Sequence, residues 1–293
     1  MPANMPHNLA IEPKPPGLKV AIQGEQASFH DIAATHFFGE DIDRVCCKTF
    51  AETFQAVDHG KAKYAVSAIE NSLYGSINEV YDLLLAQHFP IIGETYIRVK
   101  QCLIAMPGTA IGEIREVYSH PVALAQCEQY LDTVLAQAQR FETNDTAGSV
   151  GMIKLLQDPK KAAIASAQAA TLHGLDVLAS SIETNHQNYT RFVVLSRMPN
   201  SMLDANKTSL ILKTAHTPGA LYAALGAFAK RSINLTKLQS RPIIGHAWHY
   251  MFYLDVEAGL DNPSLKLALQ ELARQKCQAT ILGSYKAGTT YKA

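Results

Sequence analysis

The chain has 293 residues, 47% hydrophobic and 18% charged, which is enough apolar material for two domains with buried cores. Its 26 Lys and Arg balance 26 Asp and Glu, which excludes the basic stripe of a nucleic-acid binder. Apolar runs such as Val193-Val194-Leu195 and Ser209-Leu210-Ile211-Leu212 are far too short to span a bilayer, so no membrane partner is expected.

Residues 1–18 hold five prolines and no apolar stretch of the secretory type, and read as a disordered tail. Lys19–Gln23 predicts a strand, followed by a helix from about Asp31. Tyr64–Ile69 predicts another strand. Ile77, Val80, Tyr81, Leu84 and Leu85 then fall on one helical face, with Ser76 and Glu79 spaced as a capping box. Three further strand–helix pairs follow. Glu116–Tyr118 precedes a helix carrying Ala125, Cys127, Leu131 and Val134, and Arg140–Glu142 precedes one carrying Val150, Ile153 and Leu156. Ala162–Ala165 precedes a short helix that Gly174 can end in a left-handed conformation. With strands at Asp176–Leu178 and Arg191–Leu195, this alternation predicts an α/β domain over 19–197, built on parallel sheets covered by helices.

Residues 198–206 are polar, contain Pro199 and read as a linker. Beyond them Ser209–Lys213, Gly219–Lys230, Leu235–Ser240, His249–Val256, Pro263–Arg274 and Thr280–Tyr285 follow the order βαββαβ. That order predicts a ferredoxin-like domain over 207–287, with a tail at 288–293.

Five strand-to-helix junctions of the first domain share small hydroxyl or amide residues: Gly24–Ser28, Glu70-Asn71-Ser72, Ser119-His120-Pro121, Asn144-Asp145-Thr146 and Ser166. Each alone reads as a helix cap. Together they predict a polar, uncharged cleft at the carboxyl ends of strands, where helix N-termini favour an anion. A small carboxylate suits it better than a nucleotide, because the phosphate-loop and dinucleotide glycine patterns are missing. Arg191, beside Thr190 at a strand mouth, has the chemistry to hold a carboxylate bidentately, although a surface role is commoner for an isolated arginine. Glu70 is either a ligand contact or a cap. His120 reads as a turn residue. His246 and His249, near Trp248, lack the spacing of a metal site, and no metal is expected. Cys46, Cys47, Cys102, Cys127 and Cys277 are odd in number and include no CxxC pair. That argues against a disulfide framework and for a reducing, cytoplasmic setting.

Six segments, in order from Lys19 to about Lys286, resemble the monofunctional prephenate dehydratases. They are Ala27-Ser28-Phe29-His30 with Ala33-Ala34, Glu70-Asn71-Ser72 with Gly75, Ser119-His120-Pro121 with Gln126-Cys127, Asp145–Gly148, Ala163-Ile164 and Asn188–Phe192. The last carries Thr190-Arg191-Phe192, the most specific of them. The second domain resembles an ACT domain through Gly219–Tyr222 and Gln239–Pro242. Ala27, Gln101, Val122 and Gln239 depart from the family's usual Gly, His, Gln and Glu.

The resemblance implies a two-lobed fold like that of type II periplasmic binding proteins, with crossovers near 96–100 and 180–188. It also implies decarboxylating dehydration of prephenate to phenylpyruvate without a cofactor, since aromatisation drives the reaction. It implies catalytic roles for Thr190, Asn71, Ser119 and Gln126, and substrate contacts from Ser28, Glu70, Ser72, Asn144, Asp145, Thr146, Arg191 and Phe192. Phenylalanine as allosteric effector would meet Gly219, Ala220, Leu221, Ser240, Arg241 and Pro242, in a homodimer or homotetramer. The 18 residues before the first strand leave no room for the chorismate mutase domain of bifunctional relatives, so that activity is not expected. Alternatives are dehydration of arogenate, the aminated substrate, and a non-catalytic solute-binding or sensor role.

Overall fold

The computed structural model describes residues 17–199 and 204–292. The expectations for the N-terminal tail, for most of the linker's first half and for residue 293 lie outside these. Elements follow the chain as β1 (Lys19–Gln23), α1 (Phe29–Phe38), β2 (Asp43–Cys47), α2 (Phe50–Asp58), β3 (Tyr64–Asn71), β4 (Gly75–Ser76), α3 (Asn78–Gln87) and β5 (Ile91–Arg98). Next come β6 (Cys102–Ala105), β7 (Glu116–Ser119), α4 (Pro121–Gln126), α5 (Glu128–Val134), β8 (Gln139–Glu142), α6 (Thr146–Leu156), β9 (Lys161–Ala165), α7 (Ala167–His173), β10 (Asp176–Ser180) and β11 (Tyr189–Ser196). The chain ends with β12 (Lys207–Lys213), α8 (Ala220–Ala229), β13 (Leu235–Pro242), β14 (Tyr250–Val256), α9 (Pro263–Arg274), β15 (Gln278–Tyr285) and β16 (Thr290–Lys292).

The chain divides at Asp82/Leu83, Glu94/Thr95, Phe192/Val193 and Thr289/Thr290 into two compact units. The first contains two lobes. One is built on the sheet β16-β5-β11-β3-β1-β2, with β4 paired to β3, and the other on β10-β6-β9-β7-β8. β1 runs parallel to β2 and β3, and β7 runs parallel to β8 and β9, as strand–helix alternation requires. β6 and β10 run antiparallel to their neighbours. They adjoin the segments that enter and leave this lobe, so no helical crossover sets their direction. Helices cover both faces of the second sheet: Leu131 and Leu124 pack on Leu103, Val117 and Ile164, while Val150, Ile153 and Ala169 pack on Ile104 and Ala163.

Several details differ from expectation. Thr290–Lys292, expected within a tail, form β16 and pair in parallel with β5, and the helix expected to carry Ala125, Cys127, Leu131 and Val134 is divided at Cys127 into α4 and α5. α3 begins at Asn78, because Ser76 pairs with Glu70 in the β3–β4 ladder and is withdrawn from capping. α2 was not anticipated, although Thr49 caps it by accepting from Glu52 N (3.1 Å), while the Glu52 carboxylate accepts from Lys48 N (2.7 Å). That is the reciprocal bonding of a capping box, displaced by one residue.

The second unit holds the antiparallel sheet β13-β14-β12-β15 with α8 and α9 on one face, where Leu210, Leu212, Leu254, Phe228, Leu265 and Leu272 form the core. The order β12-α8-β13-β14-α9-β15 is the ferredoxin-like one. On the opposite face a buried polar network replaces oil. Lys207 Nζ donates to both carboxylate oxygens of Glu94 at 2.9 and 3.0 Å and lies 3.9 Å from Asp255. Ser209 bonds Asp255 and Tyr285. Gly283 lets β15 press against the Ile91 carbonyl, where any side chain would overlap that oxygen.

Candidate active site

The geometry begins at the end of β3. Asn71 Oδ1 accepts from Leu73 N (3.0 Å) and Tyr74 N (3.1 Å), an Asx turn that fixes which end of the amide is oxygen. The Asn71 nitrogen therefore faces β11, where it donates to Asn188 Oδ1 at 2.7 Å and Thr190 Oγ1 at 3.0 Å. Since Thr190 Oγ1 accepts this bond, its own proton is free to be directed elsewhere. Ser72 extends the same ladder: its N–H donates to Tyr189 O, its hydroxyl to Gln187 O, and Tyr189 N donates to its Oγ. Thr190 is 8% exposed.

Asn188 and the Leu73–Tyr74 turn line a cleft of about 630 Å³. Gln126, Glu183 and Thr184 line it too. Gln126 Oε1 accepts from Gln101 Nε2 (3.2 Å), and its backbone carbonyl accepts from Thr184 N. Glu183 is buried; it accepts from Gln101 N (2.9 Å) and stands 3.6 Å from Arg98. Arg191, also buried, lies 3.8 Å from Glu70, so a carboxylate of the chain itself already neighbours the predicted anion clamp.

The other predicted residues gather elsewhere. Asn144, Asp145, His120 and Gly24 line a second cleft of the same unit, about 940 Å³, at the starts of α4 and α6. Asp145 caps α6, accepting from Gly148 N at 2.7 Å, and reaches Glu25 N of the facing lobe at 3.4 Å. Thr146 is the first residue of that helix. Ser28 caps α1, and Ser166 caps α7 while donating to Ala27 O at 2.7 Å. His120 Nδ1 accepts from Val122 N, and burial holds its pKa below the usual imidazole value. α4 separates the clefts, with His120 and Pro121 at one end and Ala125 and Gln126 at the other. Ser119 is fully enclosed, and its hydroxyl donates to Ile164 O at 2.6 Å, tying β7 to β9. Phe192 is interior, edge-on to His30 at 5.0 Å. His30 accepts from Ala68 N, and burial pulls its pKa down to about 3.

Ala27 adopts φ 65°, a left-handed conformation that explains why glycine suits this position in the family it resembles. In the second unit Gly219 caps α8 with φ 80°. Ala220 and Leu221 line a small cavity of about 180 Å³ with His216, His249 and Phe252. Ser240, Arg241 and Pro242 lie on the edge strand β13, opposite Phe252, Met251 and Tyr250. Sequence reasoning passed over Asn188, Gln101 and Glu183 as site residues. Asn188 was within reach, since it opens the Asn188–Phe192 signature.

Comparison with known proteins places these features. The prephenate dehydratase family model matches residues 20–200, and the ACT domain model matches 208–274. Arogenate dehydratase/prephenate dehydratase 2 of Arabidopsis thaliana is 38% identical over 287 residues, covering 93% of this chain and 74% of that one. The bifunctional chorismate mutase/prephenate dehydratase of Escherichia coli K12 is 35% identical over 277 residues, covering 92% and 71%. Among solved structures, a prephenate dehydratase from Arthrobacter aurescens in complex with L-Phe superposes with TM-score 0.80 at 30% identity, over 92% of this chain and 90% of that one. GqqA, described as a novel type of quorum quenching acylase, gives 0.82 at 34%, over 92% and 98%. A fold of two lobes and an ACT-like unit, matched by a family model over most of the first unit's sequence, leaves one assignment: this chain belongs to the prephenate dehydratase family.

Proposed function

We propose that the chain converts prephenate to phenylpyruvate at the cleft beside Thr190. In this reaction the C–C bond to the ring carboxylate breaks and its electron pair enters the ring. The C–O bond to the ring hydroxyl breaks, and the leaving oxygen takes a proton and departs as water. Products are phenylpyruvate, carbon dioxide and water, and aromatisation supplies the driving force. The difficult event is expulsion of hydroxide, so a hydrogen-bond acid beside that oxygen is the most valuable group a site can offer.

One observation carries the reading: Asn71 donates to the Thr190 oxygen with its amide orientation set by two backbone N–H groups. A hydroxyl that accepts a hydrogen bond becomes a stronger donor, and its proton must point away from Asn71. Arg191 supplies positive charge near the side-chain carboxylate, balanced in the free protein by Glu70. The remaining amides and hydroxyls at the cleft orient a dianionic substrate by neutral hydrogen bonds.

For the second unit the reading is feedback control by phenylalanine. The cavity at Ala220 and Leu221 is apolar on one side and meets the α8 N-terminus, suiting an amino acid with an aromatic side chain. The β13 edge, which exposes its own Leu238, suits pairing with a second copy in a dimer or tetramer.

Purified protein is assayed with prephenate and with arogenate, with and without phenylalanine. Turnover of prephenate is expected, and Thr190→Ala should lower kcat by about 10²–10⁴-fold with an unchanged circular dichroism spectrum. Near-parental turnover in that variant removes Thr190 from the mechanism.

A further inference from the structure

We infer that Asn188 is a second donor to the departing oxygen, so that Thr190 and Asn188 together form a two-donor cradle for the leaving hydroxyl. The inference rests on the reading of the cleft given above and gives Asn188, the first residue of the Asn188–Phe192 segment, a role of its own.

A chain of forced orientations fixes the Asn188 amide. Leu73 N and Tyr74 N both donate to Asn71 Oδ1, so the other end of Asn71 is its NH2. That NH2 meets the Asn188 side chain at 2.7 Å, so the Asn188 atom facing it must be the oxygen. Asn188 Nδ2 is thereby left on the far side. It is buried, and it is one of the few buried side-chain polar atoms with no hydrogen-bond partner among the described residues. The amide cannot be turned over to cure this, because a flip would set two NH2 groups against each other. Rotation of the whole residue is also blocked: Asn188 O accepts from Val99 N at 2.8 Å, and the side chain has no exposed surface.

A buried N–H without an acceptor costs about 1–3 kcal/mol, and native interiors retain very few. Here the cost falls in a wall of the cleft, beside Thr190 and tethered to the same Asn71 nitrogen. Such a donor is silent in the free protein, where its nitrogen is covered; substrate entry must uncover it before an oxygen can satisfy it. Two donors converging on one leaving oxygen have the logic of an oxyanion hole: the bonds strengthen as charge develops on C–O cleavage. Asn188 transfers no proton; it stabilises the oxygen while Thr190 relays one.

The deciding variant is Asn188→Asp. It keeps an oxygen to accept from Asn71 and replaces only the orphan donor. At pH 9 kcat for prephenate should fall about 10²–10³-fold, the usual cost of one oxyanion-hole donor, with a smaller rise in KM, since the bound hydroxyl also loses the weaker ground-state bond. As pH is lowered towards 6 the introduced carboxyl takes up a proton and can donate again, so the variant-to-parent ratio should rise. A loss that is uniform across this range marks a scaffold role and overturns the inference, as does a variant within about threefold of the parent throughout. Should Asn188→Asp fail to fold, crystals of the Thr190→Ala protein soaked with prephenate decide. Nδ2 of Asn188 within about 3.2 Å of the ring hydroxyl supports the cradle, and any longer separation overturns it. A parent protein inert towards prephenate would instead strike down the functional reading itself.

Discussion

Replacing Lys207 by Met should be far more damaging than its conservative size suggests. The Lys207 side chain is 6% exposed and that of Glu94 0%, with both carboxylate oxygens taken by the ammonium at 2.9 and 3.0 Å. Lys207→Met leaves Glu94 and the nearby Asp255 as buried carboxylates without their shared cation. Breaking a buried pair from one side costs about 3–5 kcal/mol. The double variant Glu94→Leu/Lys207→Met removes the larger charge problem, that of Glu94; Asp255 still loses its cation but keeps the bond from Ser209, and the Gly288 N–H that donates to Glu94 Oε1 at 3.1 Å loses that acceptor, worth about 1 kcal/mol. The double variant should therefore be more stable than the single one, although more has been removed. Urea unfolding followed by circular dichroism measures this, with parent, both single variants and the double variant forming a cycle. The unit containing both residues is the one whose transition should move, by roughly 2–4 °C in Tm per kcal/mol. A Lys207→Met protein within about 1 kcal/mol of the parent, or a double variant as destabilised as the two singles combined, would refute the buried-charge reasoning.

Asn71→Asp keeps an oxygen for the Leu73 and Tyr74 amides but sets a second oxygen against Asn188 Oδ1; kcat should drop by about 10²-fold or more, and a fall under tenfold in steady-state assays would contradict the polarity argument. Ala27→Gly relieves a left-handed alanine and should raise stability by about 1 kcal/mol, read as an increase in urea midpoint. Burial holds the His30 pKa near 3, below its unfolded value of 6.5. Stability from a neutral His30 is thus complete above pH 6.5 and erodes as pH falls towards 3, at up to about 1.4 kcal/mol per unit. His30→Gln, which cannot titrate, should flatten that slope between pH 6.5 and 5 in parallel urea titrations, and an unchanged slope would place the acid sensitivity elsewhere.

Much of the architecture was legible because it rests on local rules. Periodicity located most helices, and hydroxyl or carboxylate residues at Ser28, Asp145 and Ser166 do cap them. The βαββαβ order sufficed for the second unit, since three antiparallel pairings follow from it almost without choice. The short polar strand β2 was missed because Asp43-Arg44 and a largely half-exposed pattern carry no alternation. The directions of β6 and β10 were not legible either, being set by where the chain crosses between lobes. At the cleft, the hydroxyl and amide composition was readable, but its division into two clefts around α4 depends on tertiary placement. The orphan nitrogen of Asn188 is the extreme case. It exists only because three amide orientations interlock across β3 and β11, a relation between residues more than a hundred positions apart.

β11 carries Thr190 at one end and Ser196 at the other, and the boundary between the units falls inside it, at Phe192/Val193. A strand reverses the facing of its side chains at every residue, so a single insertion or deletion within Tyr189–Ser196 would turn Thr190 away from Asn71 or rotate the buried Val193-Val194-Leu195 run out of register. This segment can drift in residue type but not in length. Relatives that have diverged in size should show their added or lost residues in turns, with this eight-residue span held constant.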